Sequence, residues 1–357
     1  MTDTIPAEPL ISPSRAAAAL AGIIAAVILF TIAALALPHD RYISFQQFAS
    51  GDASRLRWVY ERIHYDPTPI DVAVIGSSRV EAAISAPKLE SALTKRMGRP
   101  IHVANLAVPL EGRNLHYIIA RELLRTHPET RLILLSLVER SRLSHPAFRN
   151  VGDIGDVLGS PIWVNFYWLD DASFLPYRQM SLFSQTLFPG LFGVHPEFDP
   201  AAYRGTGFDT TKSFRLENGK LVDRDTIRTA DHLDAQITPI RPHVPVLVRL
   251  FGGDDNIIEN SFSARLASDL KGRCAGLIFL HMPVWRGNIE DVDLAPNARL
   301  GAVLFTPPEI GRTPEEFSDS GHLRSLGIDE VSAWLPGALQ PYLGPLREPG
   351  CPARPGA

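Results

Sequence analysis

A short apolar segment that ends in a glycine and two serines is the part of the sequence best suited to chemistry. It reads Asp71-Val72-Ala73-Val74-Ile75-Gly76-Ser77-Ser78-Arg79-Val80. A run of β-branched residues that stops at a glycine predicts a buried parallel strand entering a tight turn. The carboxyl ends of such strands border the crevice in which α/β proteins bind ligands. Amides at the start of the next helix can stabilise a negatively charged oxygen there, so we expect a reactive serine at this turn.

Two motifs resemble those of the SGNH (GDSL-like) hydrolase family. The segment 76–78 is similar to the family's first block, in which the last residue is the nucleophile. Far downstream, the segment 319–322 resembles the family's last block, Asp-x-x-His. The resemblance implies that Ser78 is the nucleophile and that His322 is the base that accepts its proton. Asp319 would then fix the histidine tautomer and stabilise the imidazolium.

The same resemblance implies oxyanion-binding groups around the nucleophile. The family uses the amide of the nucleophile, a glycine amide in its second block and an asparagine side chain in its third block. Residues 105–112 correspond to the second block, where either Ala107 or Gly112 would present the amide. No Gly-x-Asn-Asp follows the third predicted strand, so Asn105 is a candidate replacement, and its alternative role is to stabilise a turn. Arg79 would either hold an acidic group of the substrate or form a structural salt bridge.

The elements that must position these residues alternate between strand and helix patterns. The predicted fold class is α/β, with a three-layer SGNH-hydrolase-like parallel sheet, an N-terminal transmembrane helix and an inserted cap region. Strands are predicted at 71–75, 101–105, 131–137 and 275–281, and helices at 86–97, 113–125, 261–270 and 327–339. The segment 245–250 fits either a strand or a helix.

Five parts are predicted along the chain. They are a short N-terminal tail (1–15), a transmembrane anchor (16–38), a juxtamembrane helical segment (39–65), an SGNH-like domain (66–340) with an insertion at about 141–240, and a disordered tail (341–357). The aromatic insertion is expected over the C-terminal edge of the sheet. Its rings would either form an exposed wall that binds a sugar or an acyl chain or packs against the membrane or a partner, or form the insertion's own small core. The aromatic residues of the juxtamembrane segment are expected either at the bilayer surface or packed on the domain.

The anchor is predicted from an uninterrupted apolar stretch at 16–37, because about 20 residues are needed to cross a bilayer. A cleaved signal peptide is the alternative, although its apolar region usually spans only about 7 to 15 residues. Arg15 before the stretch and Arg41, Arg55 and Arg57 after it weakly favour a cytoplasmic main domain. The family resemblance implies instead a periplasmic or otherwise extracytoplasmic domain at the bacterial inner (cytoplasmic) membrane.

Composition excludes several classes of protein. The chain has 357 residues, 45% of them hydrophobic, so it can bury a sizeable core. A net charge of -4 without a dense basic run argues against nucleic acid as a partner. The two cysteines, Cys274 and Cys351, are too few for a disulfide scaffold or a cysteine-rich zinc module, and they either pair or stay free. The sequence contains no P-loop or H-E-x-x-H motif, and its histidines lack metal-ligand spacing, so neither cofactor nor metal is expected.

The resemblance implies a serine esterase or O-acyltransferase that acts on cell-envelope polysaccharide through an acyl-serine intermediate. It points to the anchored proteins of the alginate O-acetylation type, which implies an acyl donor, a polysaccharide acceptor and a multi-pass membrane acyltransferase as partner. A degenerate SGNH-like domain that binds glycan or scaffolds an acylation complex is the alternative. The missing third-block asparagine favours that alternative, whereas Ser78, Asp319 and His322 oppose it. A purely structural envelope anchor is a third possibility.

Overall fold

The computed structural model describes residues 12–48, 53–137, 144–216, 219–237, 257–273, 275–287 and 295–344. The strands, in chain order, are β1 Val72–Ile75, β2 Val103–Asn105, β3 Leu132–Ser136, β4 Phe214–Arg215, β5 Leu221–Val222, β6 Gly276–His281, β7 Ala302–Phe305, β8 Phe317–Asp319 and β9 His322–Leu323.

The α-helices, in chain order, are α1 Pro13–Leu35, α2 Arg41–Phe45, α3 Leu56–His64, α4 Ser78–Ala83, α5 Ala86–Met97, α6 Arg113–Thr126, α7 Phe148–Val151, α8 Ile154–Leu158, α9 Trp168–Leu187, α10 Pro189–Phe192, α11 Ala230–Gln236, α12 Ile257–Leu270, α13 Ala295–Ala298 and α14 Ser325–Leu339. Short 3₁₀ helices occur at Pro314–Glu316 and Gln340–Tyr342.

Five parallel strands form the central sheet, in the order β2-β1-β3-β6-β7. All residues of β1 and β3 are buried, as their uninterrupted apolar sequence predicts for strands covered on both faces. Alternate residues of each strand enter two separate hydrophobic cores, with Ala73 and Ile75 in one and Val72 and Val74 in the other. The predicted α/β class with a parallel sheet between two layers is therefore confirmed.

The two cores contain different helices. The first core packs the sheet against α3, α6 and α12, and the second packs it against α5 and α14. In α5, Ser85 caps the helix by accepting the Lys88 amide at 3.5 Å, and Pro87 lies in the first turn, where a missing amide costs little. The apolar faces of these helices thus fix the sheet from both sides.

Most predicted elements agree with the structure to within a few residues, and the differences have physical causes. Helix α5 spans the predicted range, whereas α12 begins four residues before the predicted residue 261. Strand β7 and the 20-residue helix α9 were not predicted. Helix α9 contains Pro176, which removes one backbone hydrogen bond and hides the helical pattern in the sequence. The segment 245–250, both cysteines and the tail from 345 lie outside the described residues.

Helix α1 is the one helix of the described residues that is long and apolar enough to cross a membrane. It begins at Pro13 and ends at Leu35, close to the predicted limits. Most of its side chains are exposed, and Leu29 is 67% exposed, so the helix is not a core helix of the domain. The observed helix is consistent with a single-pass anchor by length and composition.

The juxtamembrane segment is part of the domain core, and not a separate unit at the bilayer surface. Tyr42 and Phe45 on α2 and Trp58 and Tyr60 on α3 are all buried in the first core. Tyr42 stacks on Tyr60 with ring centroids 5.5 Å apart. Of the two arrangements that the sequence left open for these aromatic side chains, the structure therefore has the one in which they pack on the domain.

A buried carboxylate ties this segment to α6. The side chain of Glu122 is 3% exposed and pairs with Arg41 and His64. Burial alone would raise the pKa of Glu122, but the contacts from His64 and Arg41 lower it overall, from 4.5 to about 2.

This depressed pKa makes stability depend on pH in the acid range. The carboxylate stabilises the fold fully above pH 4.5, and the contribution is lost as the pH falls towards about 2. The difference corresponds to about 3 kcal/mol. We expect urea unfolding of the full chain in detergent to show this loss, and Glu122→Gln to flatten the curve between those pH values. The matched variant Glu315→Gln, at an exposed position, should keep the wild-type curve. An unchanged curve in Glu122→Gln would refute the assignment.

Candidate active site

The site lies at the C-terminal edge of the central sheet, beside β1. From β1 the chain first adds β2 on one side and then β3 on the other, so the order of the strands reverses at β1. The crevice outside such a reversal is the usual binding position of open α/β sheets. Ser77 and Ser78 follow β1 directly and therefore lie at this crevice.

The turn after β1 needs a glycine because the neighbouring strand is very close. A Cβ atom on Gly76 would lie 2.2 Å from Ser136 Oγ, at the end of β3. The amide of Ser77 donates a hydrogen bond to that same Oγ at 3.3 Å. The chain then enters α4 at Ser78, whose side chain is half-buried. As the first residue of the helix, Ser78 has an amide N–H without an intrahelical partner.

A short antiparallel hairpin carries the other two candidate catalytic residues. Asp319 ends β8 and His322 begins β9, and the two residues are register partners. The Gly321 amide donates to Asp319 Oδ1 at 2.8 Å across the turn. The backbone of Ser320 is held by its neighbours, because its amide donates to Gln236 Oε1 at 3.0 Å and its carbonyl accepts from the Trp285 amide at 2.9 Å.

Ser78, His322 and Asp319 form a continuous hydrogen-bonded chain. His322 Nε2 lies 2.7 Å from Ser78 Oγ, and its Nδ1 lies 2.8 Å and 2.9 Å from the two carboxylate oxygens of Asp319. Since a carboxylate only accepts, the proton of a neutral imidazole belongs on Nδ1, which leaves Nε2 to accept from the serine hydroxyl. Both distances fall within the range for a nucleophile, a base and an orienting acid.

The electrostatics keep Asp319 ionised. Burial alone would raise the pKa of its carboxyl group, but the hydrogen bond and charge of His322 and the Gly321 amide lower the pKa below its ordinary value of 3.8. An ionised Asp319 can stabilise an imidazolium at His322 when the serine proton is transferred.

Two expected oxyanion donors have other roles in the structure. Asn105 Nδ2 donates to the carbonyl groups of Val80, Glu81 and Ile84, at 3.1 Å, 3.3 Å and 2.8 Å. Asn105 Oδ1 accepts the Ala107 amide at 3.2 Å. The Asn105 side chain thus braces α4 and the turn after β2. Both donors already have acceptors, which favours the turn-stabilising role for Asn105, and an oxyanion role of Asn105 or Ala107 stays a prediction.

Gly112 directly precedes α6 and is buried. Its φ is 145°, and a Cβ atom there would lie 2.4 Å from the backbone nitrogen of His145. The backbone approach therefore requires glycine at this position. Leu110 and Glu111 line the cavity beside Ser78, whereas Gly112 does not. An oxyanion role of the Gly112 amide stays a prediction.

A buried arginine connects the juxtamembrane segment to this loop. Arg55 lies just before α3 and donates from Nη1 to the Ala107 carbonyl at 2.6 Å and from Nη2 to the Asn105 carbonyl at 2.5 Å. Its guanidinium also lies over the Trp58 ring, 4.7 Å from the centroid. Burial lowers the pKa of Arg55 to about 10. The arginine thus positions the loop after β2 from behind, and nothing in the local sequence predicts this long-range contact.

A cavity of about 760 Å³ opens in front of Ser78 and His322. Arg79 lies in its wall next to the nucleophile, so it is placed to meet a substrate, and its role in binding stays a prediction. The remaining lining residues are Ser77, Leu110, Glu111, Ser144, His145, Pro146, Arg149, Tyr167, Asp170, Asp171 and Gly321. Those between Ser144 and Asp171 belong to the insertion, as expected for a segment at this edge of the sheet.

The charged residues that the insertion contributes to the cavity were not among the predicted site residues. Asp170 and Asp171 lie in the first turn of α9, where acidic residues are favoured. Asp171 accepts from Asn165 Nδ2 at 2.9 Å, and burial raises the pKa of its carboxyl group. A pair of acidic residues before a long apolar segment is a signal for the start of a helix. This signal would have predicted that both aspartates lie in the first turn of one helix.

Comparisons with known proteins identify no relative. The chain matches no family model, no curated protein and no solved structure. The geometry of the site and the two motifs that resemble the SGNH family are therefore the observations that bear on function.

Proposed function

We propose that the chain is an SGNH-like serine esterase or O-acyltransferase that works through an acyl-serine intermediate. The observation that carries the proposal is the hydrogen-bonded chain of Ser78, His322 and Asp319 at the mouth of a cavity. The three residue types come from parts of the sequence more than 240 positions apart, and Ser78 and His322 meet at 2.7 Å. Such an arrangement is what nucleophilic catalysis requires.

The proposed first half-reaction forms the acyl-serine. Ser78 Oγ attacks the carbonyl carbon of an ester while His322 Nε2 takes the hydroxyl proton. The carbonyl oxygen becomes negatively charged, and the amide of Ser78 at the start of α4 is placed to donate to it. His322 then returns the proton to the leaving alcohol as the C–O bond breaks.

The second half-reaction decides between hydrolysis and transfer. His322 removes a proton from either water or a sugar hydroxyl, whose oxygen attacks the carbonyl carbon of the acyl-serine. The bond from that carbon to Ser78 Oγ then breaks, and His322 returns the proton to Ser78 Oγ. The residues of the insertion that line the cavity, including Arg149 and Tyr167, would determine which acceptor reaches the acyl group. We propose a cell-envelope polysaccharide as the acceptor, on the strength of the family resemblance and the apolar helix α1.

The place of the protein in the cell follows from the same argument. We propose a single-pass protein of the bacterial inner membrane, anchored by α1, with its main domain on the periplasmic side. The resemblance supports a multi-pass membrane acyltransferase as the partner that delivers the acyl group. The distribution of arginine residues weakly favours the opposite orientation, but large domains translocate largely regardless of such charges.

A second candidate function is a degenerate SGNH-like domain that binds glycan or scaffolds an acylation complex. The engagement of Asn105 and Ala107 in structural hydrogen bonds favours it, because it removes two expected oxyanion donors. Removing one such donor typically costs about 100- to 1000-fold in turnover. The two candidates therefore differ in whether Ser78 reacts at all.

A fluorophosphonate probe tests the choice directly. We expect the full chain in detergent to form a covalent adduct that mass spectrometry locates at Ser78. The adduct should be lost in Ser78→Ala and in His322→Ala, because the unassisted hydroxyl is a weak nucleophile. Labelling no greater than that of Ser78→Ala would reject the enzyme and favour the binding domain. Labelling at another serine would reject the assignment of the nucleophile.

A further inference from the structure

Helix α9 buries several polar side chains alongside the apolar Leu175 and Leu182. Its buried side includes Arg178, Gln179 and Gln185, whereas Leu187 at its end is exposed. Arg178 donates to the carbonyl groups of Arg149 and Gly152, and Gln185 pairs with Gln47. A helix normally buries its apolar face, so the apolar residues on the outside of α9 need another partner.

The exposed apolar residues concentrate at the C-terminal end of α9 and in α10. We call Leu187, Phe188, Leu191 and Phe192 the apolar edge. All four are more than half exposed, and Leu191 is 83% exposed. The sequence has no charged residue from Gln179 to Val194. Contiguous exposed apolar side chains of this kind indicate an interaction surface.

The membrane-spanning candidate α1 ends next to the apolar edge. Helix α1 packs on α9, and Ala34 near its end is buried. Gln179 Nε2 donates to the Leu37 carbonyl at 3.2 Å. Three residues later, the Asp40 amide donates to Thr186 Oγ1 at 3.1 Å, and Thr186 directly precedes the apolar edge. The chain that leaves α1 is therefore fixed along the end of α9.

We propose that the apolar edge inserts into the lipid leaflet at the side of the membrane from which α1 emerges. Since α1 would be surrounded by lipid, the level at which it ends is also the level at which lipid begins. The contact of Asp40 with Thr186, five residues after α1 ends at Leu35, holds the apolar edge close to that end of the helix. Phenylalanine and leucine side chains without neighbouring charges are suited to the boundary between headgroups and acyl chains. This inference rests on the proposed anchor but does not depend on the serine chemistry.

Insertion of the apolar edge into lipid would also set the position of the cavity relative to the membrane. Asp171, which lines the cavity, lies in the first turn of α9, and Leu187 ends the same helix. At 1.5 Å per residue, the two positions are about 24 Å apart along the helix. With the apolar edge held in lipid, the candidate active site would lie within that distance of the membrane surface.

Depth-dependent quenching of a fluorophore tests the proposal on the full chain in phosphatidylcholine vesicles. Cys274 and Cys351 are first replaced by serine. A single cysteine is then introduced by Leu191→Cys and labelled with an environment-sensitive dye, and Phe192→Cys serves as a second position.

The matched control Ile227→Cys has a comparable exposure of 69% but lies outside the apolar edge. Leu29→Cys, at 67% exposure within α1, reports on the anchor itself.

We expect nitroxide groups on the upper acyl chain to quench the dye at Leu191 and at Phe192 and to leave the dye at Ile227 unquenched. Nitroxide groups deep in the acyl chain should quench the dye at Leu29. Absence of quenching at Leu29 would reject the anchor, and with it the basis of this inference. Quenching at Leu29 without quenching at the apolar edge would reject the inference alone. A dye at Leu191 that is shielded from water but unquenched would indicate a protein contact, either a second copy or a partner, and would equally overturn lipid insertion.

Discussion

Ser78→Ala and His322→Ala should each lower kcat for an activated ester such as p-nitrophenyl acetate by about 10⁴- to 10⁶-fold, and the double variant should lose no more. The reason is the direct hydrogen bond of 2.7 Å between Ser78 Oγ and His322 Nε2. Without the base, the hydroxyl keeps its proton and attacks poorly. Without the nucleophile, the base has nothing to activate. Two residues that act as one unit therefore give losses that do not add.

Control variants distinguish this result from a general loss of structure. Ser268→Ala and His195→Ala change the same residue types at exposed positions outside the site, and both should retain wild-type activity. The single variants should unfold at the wild-type temperature, since neither removes a large buried side chain. Additive losses in the double variant would show that Ser78 and His322 act independently. Retained activity in either single variant would remove that residue from the mechanism.

Four of the five strands of the central sheet were predictable because their signals are local. Val72–Ile75 and Leu132–Ser136 are apolar runs with clear ends, and such runs identify buried strands. The meeting of Ser78 and His322 is different, because no local pattern joins residues 244 positions apart. The two motifs allowed the pairing to be proposed, and only the fold determines the distance between the side chains.

The oxyanion donors could not be predicted for a related reason. Asn105 has the right type and lies at the end of a strand, as a donor should. Its amide group is nevertheless used by three carbonyl groups of α4 and its following turn. Whether a polar side chain is available depends on all its neighbours at once, and sequence patterns do not contain that information. The contact of Arg55 with the Ala107 carbonyl is hidden in the same way.

The insertion was the least predictable part because it breaks the usual rules of burial. Helix α9 contains Pro176 and buries arginine and glutamine side chains together with two leucines, while Tyr177 and Leu187 are exposed. A pattern search that assumes an apolar face towards the core therefore places this helix wrongly or misses it. The departure has a physical explanation if the outer side of α9 faces lipid, where burial of apolar residues follows the opposite direction.

Asp319→Asn should lower kcat by about 10⁴-fold while leaving KM and the unfolding temperature nearly unchanged. Asparagine has the same shape as aspartate, and its side-chain oxygen can still accept the Gly321 amide across the hairpin turn. Its amide nitrogen, however, can donate a hydrogen bond to His322 Nδ1. The imidazole would then carry its own proton on Nε2, which could no longer accept the proton of Ser78.

The size of this loss shows whether Asp319 belongs to the reacting unit or whether Ser78 and His322 act without it. Asp225→Asn, an identical change at an exposed position, should have no effect on kcat. Asp319→Glu should retain more activity than Asp319→Asn, because it keeps an acceptor for Nδ1 even with a shifted geometry. A loss below about 10-fold in Asp319→Asn would mean that other contacts orient His322. Asp319 would then serve only to close the turn between β8 and β9, and the reacting unit would consist of Ser78 and His322 alone.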